Sequence, residues 1–185
     1  MAKGLKAAGY DFTLNIIGSG ALEDTLRQQI QTEGLTDLVH LLGSMKPDAV
    51  RTYKERASIF LATSDRQEGW GAVVNEAMNS GCAVVASHAI GAVPYLIENE
   101  KNGLVYRSGD IEMLLRQVQA LLADSEKCVA MGQCAYETIV REWNAEVAAE
   151  RLCRLTEAIL SGDKQPDLYE SGPCSRAPTQ SDDWM

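Results

Sequence analysis

The sequence predicts an α/β fold: a Rossmann-like, doubly wound parallel sheet of about five strands, closed by C-terminal helices. Three observations lead there. Residues 12–106 alternate short apolar runs with helix-like segments, the order of repeated βαβ units. The runs are continuously apolar rather than alternating, as strands covered on both faces are; Cys82-Ala83-Val84-Val85-Ala86 is the clearest. From residue 108 onward the periodicity is helical only.

Each element follows in order. Leu5-Lys6-Ala7-Ala8-Gly9 reads as the last turn of a helix ending at a glycine, so the chain is expected to continue a longer protein upstream. Phe12 to Ile17 is β-branched and apolar, a buried strand, and Gly18-Ser19-Gly20 turns it. Leu22, Leu26 and Ile30 recur at helical spacing, and Gly34 stops that helix. Residues 38–43 form the second strand. Pro47 opens a helix with Val50 and Tyr53 on its inner face, and residues 58–62 form the third strand. A helix then runs to Ser80-Gly81, the fourth strand spans 83–86, and a short helix occupies 94–97. Asn102-Gly103 turns into a fifth strand at 104–106. Ser108-Gly109-Asp110, Ser125 and Asn144 cap three final helices. The domain is expected to occupy residues 1–161. The tail, 162–185, holds Pro166, Pro173 and Pro178 among polar residues and reads as an irregular strap over the surface.

Bulk properties narrow the function. A chain of 185 residues suits one domain, and a net charge of -9 argues against a nucleic-acid binder. The same charge disfavours docking on an anionic membrane, so membrane contact is peripheral at most. Five cysteines without a C-x-x-C pair, and only two histidines, speak against structural zinc and for reduced thiols in a cytoplasmic protein.

Chemistry concentrates at Glu68-Gly69-Trp70-Gly71-Ala72-Val73-Val74-Asn75-Glu76. This stretch leads from the third strand into a helix, and open α/β sheets bind ligands at the carboxyl ends of their strands. Gly69 and Gly71 leave the backbone bare at the helix N-terminus, where N–H groups and the helix dipole favour a diphosphate. Glu76, about a turn further in, suits a vicinal diol such as that of a ribose, and Glu68 suits hexose hydroxyls. Both glutamates could instead be solvated, but an acid in an otherwise apolar helix between buried strands needs a partner. Gly18-Ser19-Gly20 is either a phosphate-approaching turn or a plain tight turn. Trp70 is either a stacking surface for sugar or base, or a packed aromatic at the cleft rim. For His88, in the loop after the fourth strand, a bland role outweighs a ligand contact.

The Glu68-to-Glu76 spacing resembles the E-x7-E signature of family-four retaining glycosyltransferases with the GT-B fold. Glu76-Ala77-Met78-Asn79-Ser80-Gly81-Cys82-Ala83-Val84-Val85-Ala86 is similar to the family's E-A-M-A-x-G-x-P-V-V-A. Gly91-Ala92-Val93-Pro94 resembles its G-G-x-P loop, Asn102-Gly103-Leu104-Val105 its N-G-x-L-V, and Gly18-Ser19-Gly20 its G-x-G turn. The resemblance covers roughly residues 10 to 160 and implies a donor-binding domain for a nucleoside-diphosphate sugar, needing no metal or other cofactor. It implies that Glu68 is the catalytic residue at the donor sugar. Gly69, Trp70, Gly71, Ala72 and Val73 would face sugar and diphosphate, Glu76 would hold the ribose, and Gly18 and Ser19 would line the same cleft. The acceptor, a saccharide or lipid-linked sugar, would bind a separate N-terminal GT-B domain.

The departures carry expectations of their own. The family's first strand, which carries an arginine and is followed shortly by a lysine, would precede residue 1, and neither Lys3 nor Lys6 replaces those cations. Ala92 stands at the second glycine of G-G-x-P and Tyr95 where a glutamate is common. Without that first strand, strands 12–17 and 58–62 are expected either to leave an open gap or to pair directly. The alternative function is a non-catalytic nucleotide-sugar-binding subunit that needs a separate acceptor chain. A nicotinamide-dependent oxidoreductase fails because Glu23 occupies the place of the third glycine of a dinucleotide fingerprint.

Overall fold

The computed structural model describes residues 1–177, 180, 181, 184 and 185; Pro178 of the tail lies outside them. Five strands appear: β1 (Leu14–Ile17), β2 (Val39–Gly43), β3 (Ile59–Ala62), β4 (Ala83–Ser87) and β5 (Leu104–Tyr106). Among the described residues eight helices precede, join and follow the strands: α1 (Ala2–Ala7), α2 (Glu23–Thr32), α3 (Pro47–Arg56), α4 (Ala72–Asn79), α5 (Val93–Leu96), α6 (Ile111–Ala123), α7 (Ser125–Arg141) and α8 (Ala145–Leu160).

All strand pairs are parallel, but they fall into two sheets, β1-β2 and β3-β4-β5. Among the described residues no strand joins β1 to β3, so of the two expectations the open gap holds.

The core is built around β4. All five of its residues have no solvent exposure. Alternation splits them between two clusters. Val84 and Ala86 face Val74, Ala77 and Met78 of α4 and Ala135 and Ile139 of α7. Ala83 and Val85 face Leu114, Val118 and Leu121 of α6, Leu5 of α1 and Met131 of α7. A strand covered on both faces has no polar side to show, which explains its unbroken apolar run. The β1-β2 sheet is more open: Asn15 is exposed, and Val39 is the one buried position of either strand.

Local chemistry sets the element ends. The Asp110 carboxylate accepts from the Met113 N–H (2.7 Å) and the Asn144 side chain from the Val147 N–H (2.9 Å), both as expected of N-caps. The cap of α7 is Asp124, not Ser125: Asp124 has extended dihedrals and accepts from the Lys127 N–H (2.9 Å), whereas Ser125 is already the first helical residue. The inner face of α3 also differs from expectation. Tyr53 is 36% exposed and Val50 only half-buried, while Lys54 is the buried residue, at 7%. Leu22 precedes α2 and is exposed rather than part of its packed face.

The tail forms no helix or strand among its described residues, and it is pinned to the domain. The Arg151 guanidinium lies 4.5 Å over the Tyr169 ring and donates to the Pro173 carbonyl (3.3 Å), and the Ser171 hydroxyl donates to Glu142 (2.6 Å). Further on, the Trp184 indole donates to the His88 carbonyl (3.2 Å).

The buried Asn102 ties the turn before β5 to α7. Its amide donates to the Leu96 carbonyl (3.0 Å) and the Thr138 hydroxyl (2.9 Å), and its oxygen accepts from the Glu98 N–H (2.8 Å). Asn102→Ala strands at least one buried donor or acceptor, and urea unfolding is expected to show a loss of about 1–3 kcal/mol. Exposed Cys134→Ala is the control, expected within about 0.5 kcal/mol of wild type.

Thiol chemistry tests the packing separately. Burial pushes the Cys82 thiol from its ordinary 9.0 up to about 11, against an opposing pull from Lys54. Burial raises Cys128 as well. In native protein at mildly alkaline pH, the exposed Cys134 and Cys153 should react rapidly with a maleimide, and Cys82 and Cys128 only after denaturant is added. The unfolded Cys82 thiol ionises first, so its contribution is complete below pH 9.0 and is lost as pH rises toward about 11. Mass mapping of the alkylated cysteines and a pH series of unfolding midpoints check both.

Candidate functional site

The Glu68–Glu76 stretch sits where the β3 and β4 loops meet. Gly71 is the N-cap of α4, at φ 81° and ψ 57°. A Cβ there would also lie 2.4 Å from Ile90 Cγ2, so conformation and space both require glycine. The preceding backbone is sewn to the next loop: the Gly91 N–H donates to the Gly69 carbonyl (3.0 Å) and the Ala92 N–H to the Trp70 carbonyl (2.8 Å). That approach leaves no room at Gly91, where a Cβ would stand 2.3 Å from the Gly69 oxygen. The departure from G-G-x-P at Ala92 is accommodated, since Ala92 is buried and makes its contact through the backbone.

The loop itself is folded by its own polar groups. The Gln67 N–H donates to the Asp65 carboxylate (2.9 Å), and the Ser64 hydroxyl donates to Glu68 Oε2 (3.4 Å). Glu68 is half-buried, while Gly69, Ala72 and Val73 are exposed at the start of α4. The first N–H groups of a helix have no partner within it, so these positions offer donors and the positive end of the dipole to an incoming anion.

Trp70 belongs to an aromatic cluster. Its ring stacks with Tyr95 (centroids 6.1 Å apart) and tilts against Trp143 (5.6 Å), and its indole donates to Asn75 Oδ1 (2.8 Å). It remains 43% exposed. His88 is buried at 7%, and its Nδ1 accepts from the Ser108 N–H (2.9 Å), which makes it part of the scaffold around β4.

Glu76 is exposed rather than buried, so burial does not demand a partner for it as the sequence suggested; it has one all the same, which no motif of the sequence marks. Lys54 of α3 directs its ammonium to the Glu76 carboxylate. The pair is lopsided: the Lys54 side chain is 8% exposed and that of Glu76 61%. Glu76 opens onto a cavity of about 450 Å³ between α3 and α4, also lined by Met45, Asp48, Arg51, Lys54 and Ser80. None of Met45, Asp48, Arg51 or Lys54 was singled out from the sequence. Lysine and arginine in an amphipathic helix read as solvated charges, and Val50 with Tyr53 supplied a plausible apolar face.

Gly18 and Ser19 lie at the carboxyl end of the other sheet. Their bonds run to the end of β2 and the residue after it, Gly18 N–H to the Gly43 carbonyl (2.9 Å) and Ser19 hydroxyl to Ser44 hydroxyl (2.7 Å). The structure thus gathers Glu68, Gly69, Trp70, Gly71, Ala72, Val73 and Glu76 on one loop and helix and leaves Gly18 and Ser19 on a separate pair of turns. Among the described residues, no group of three or more His, Cys, Asp or Glu side chains is placed to hold a metal ion, and no helix is long and apolar enough to cross a membrane.

Comparison with known proteins places this geometry in context. The family model for glycosyl transferases group 1 matches residues 1–138. A lipopolysaccharide core biosynthesis mannosyltransferase, LpcC, of Rhizobium leguminosarum bv. viciae is 37% identical over 148 residues, 78% of this chain and 40% of that protein. A GDP-mannose-dependent α-(1-6)-phosphatidylinositol monomannoside mannosyltransferase of Mycobacterium tuberculosis is 29% identical over 145 residues, 75% of this chain and 37% of that protein. The crystallised C-terminal domain of a glycosyl transferase group 1 family protein (LpcC) from Francisella tularensis superposes with a TM-score of 0.69 at 25% identity, covering 76% of this chain and 74% of that domain. The chain therefore spans about two fifths of the length of these curated relatives (37% and 40%). With the family model matching residues 1–138 and the fold of a C-terminal GT-B domain, the chain belongs to the glycosyl transferases group 1 family.

Proposed function

We propose that the chain is the donor-binding half of a retaining hexosyltransferase, which takes a nucleoside-diphosphate sugar and passes the sugar to a saccharide or lipid-linked acceptor in the cytoplasm. The observation that carries this reading is the opening of Glu76 onto the α3–α4 cavity, about one helical turn along α4 from its glycine-flanked start. The cavity is of a size for a nucleoside, within the common range of small-molecule sites. Glu76 accepts from the ribose diol at its mouth. The N–H groups of Gly71, Ala72 and Val73 meet the diphosphate and stabilise the charge it gains on leaving. Glu68, held by Ser64, accepts from the donor sugar and acts as the catalytic residue. Trp70 walls the sugar end, and Gly18 and Ser19 line the far side of the cleft. The donor is a nucleotide sugar without a metal or other cofactor, and the names of the relatives favour a mannosyl group from GDP-mannose. An N-terminal GT-B domain supplies the acceptor site, so the chain alone binds donor and transfers little.

A thermal-shift panel of GDP, UDP, GDP-mannose and NAD tests this. A guanosine or uridine diphosphate at about a hundred times its Kd should add about 2.7 kcal/mol of apparent stability, and NAD should add none. Glu76→Ala should lower diphosphate affinity at least about tenfold, and Glu68→Ala should spare GDP while weakening the added grip on its sugar. If no nucleoside diphosphate or sugar conjugate shifts the wild-type protein, the reading is wrong.

Gly91→Ala reaches the same site through the backbone. Its methyl group overlaps the Gly69 oxygen at 2.3 Å, so the loop must move and break the hydrogen bond between Gly91 and Gly69. Diphosphate affinity is expected to fall roughly tenfold, with a stability loss of about 1–3 kcal/mol. Calorimetric titration alongside urea unfolding separates the two effects.

A further inference from the structure

We propose that Lys54 is a positioning residue that holds Glu76 in the orientation from which it receives a ribose diol; this rests on the donor-binding reading above. No motif of the sequence marks Lys54.

Lys54 is held on several sides. It stands near the C-terminal end of α3, and its carbonyl accepts from the buried Cys82 thiol (3.1 Å), which fixes α3 against the start of β4. Its ammonium lies 5.5 Å from the Phe60 ring and ends on Glu76 Oε2. The stem is therefore packed and the charged end has a single direction. A buried ammonium without a counter-ion is strongly disfavoured, so this lysine requires its carboxylate. Glu76 is in the opposite situation. Its side chain is 61% exposed, on a helix surface where an unpartnered glutamate populates several rotamers. The exposed member of the pair is thus ordered by the buried one. Lys54 takes up one carboxylate oxygen, Oε2, while the outer face of Glu76 stays open to the cavity.

The consequence is specific to the hydroxyl groups of the ligand. A carboxylate that grips a vicinal diol must present its oxygens together, and fixing it beforehand removes the ordering cost at binding. Lys54 acts through Glu76, so its contribution disappears when the ligand has no hydroxyl for Glu76 to grip.

The test compares affinities for GDP and 2′-deoxy-GDP, and for UDP and 2′-deoxy-UDP, by calorimetric titration. Wild type is expected to prefer the ribose form of the base it binds by about tenfold. Lys54→Met should bring that preference close to unity by weakening the ribose form and leaving the 2′-deoxy form within about twofold, and Lys54→Arg, which keeps the charge, should retain most of it. Equal weakening of both forms in Lys54→Met would mean a general structural role or a direct ligand contact, and an unchanged preference would mean no role; either overturns the proposal. Should Lys54→Met fail to fold, Lys54→Met/Glu76→Gln, a neutral pair in place of the ion pair, carries the test against Glu76→Gln alone. Equal nucleotide affinity in those two supports action through Glu76, and weaker binding by the double variant overturns it. A wild-type protein that binds no nucleoside diphosphate would instead overturn the donor-binding reading itself.

Discussion

The fold depends on burying both faces of one strand. β4 has apolar neighbours on either side: α4 and α7 cover one face, and α6, α1 and Met131 of α7 cover the other. Such burial is met here by helices on opposite faces and by two parallel neighbours, β3 and β5. It also directs the polar residues to the ends of the strands. Backbone groups past the last ladder bond of β3 and β4 must find other partners, and they find one another, Gly91 to Gly69 and Ala92 to Trp70. The glycine-rich start of α4 is therefore fixed from two directions: α4 packs its Val74, Ala77 and Met78 onto β4, and the preceding loop is sewn to the loop that leaves β4.

What was legible in the sequence was local. The continuous apolar runs of β3 and β4 show strands covered on both faces. The glycines of the Glu68–Glu76 stretch show where backbone conformation and close approach matter, since Gly71 adopts a left-handed φ of 81° that other residues rarely take. Asp110 and Asn144 read correctly as caps because a cap is a bond between residues three apart. Asp124 was missed in favour of Ser125, since both residue types cap and only the dihedrals decide between neighbours.

What was not legible was decided by distant placement. The side of α3 that faces inward depends on where α4 lies, and α4 offers it a carboxylate rather than an apolar patch. A lysine is then the suitable inner residue, and Tyr53 turns outward. The same limitation hid the cavity. Met45, Asp48 and Arg51 come from the segment after β2, Glu76 and Ser80 from α4, and no spacing along the chain connects them. Trp70 likewise meets a distant partner, since Trp143 reaches it from the junction of α7 and α8.

The connection through α3 is what joins the two halves of the domain at the site. Among the described residues the β1-β2 sheet shares no ladder with the β3-β4-β5 sheet, and α3 is the covalent bridge between them. Its C-terminal turn is tied to β4 by the Cys82 thiol, which donates to the carbonyls of Lys54 and Ala57. Burial pushes that thiol up to about 11, so it keeps its proton at physiological pH and remains a donor. The neighbouring Lys54 side chain carries the tie on to α4 through Glu76. The cavity lies between α3 and α4, so a ligand that fills it would bind the arrangement in which these helices are packed together better than a separated one. Ligand affinity and the packing of α3 against α4 are then linked quantities, since whatever binds one arrangement preferentially stabilises it.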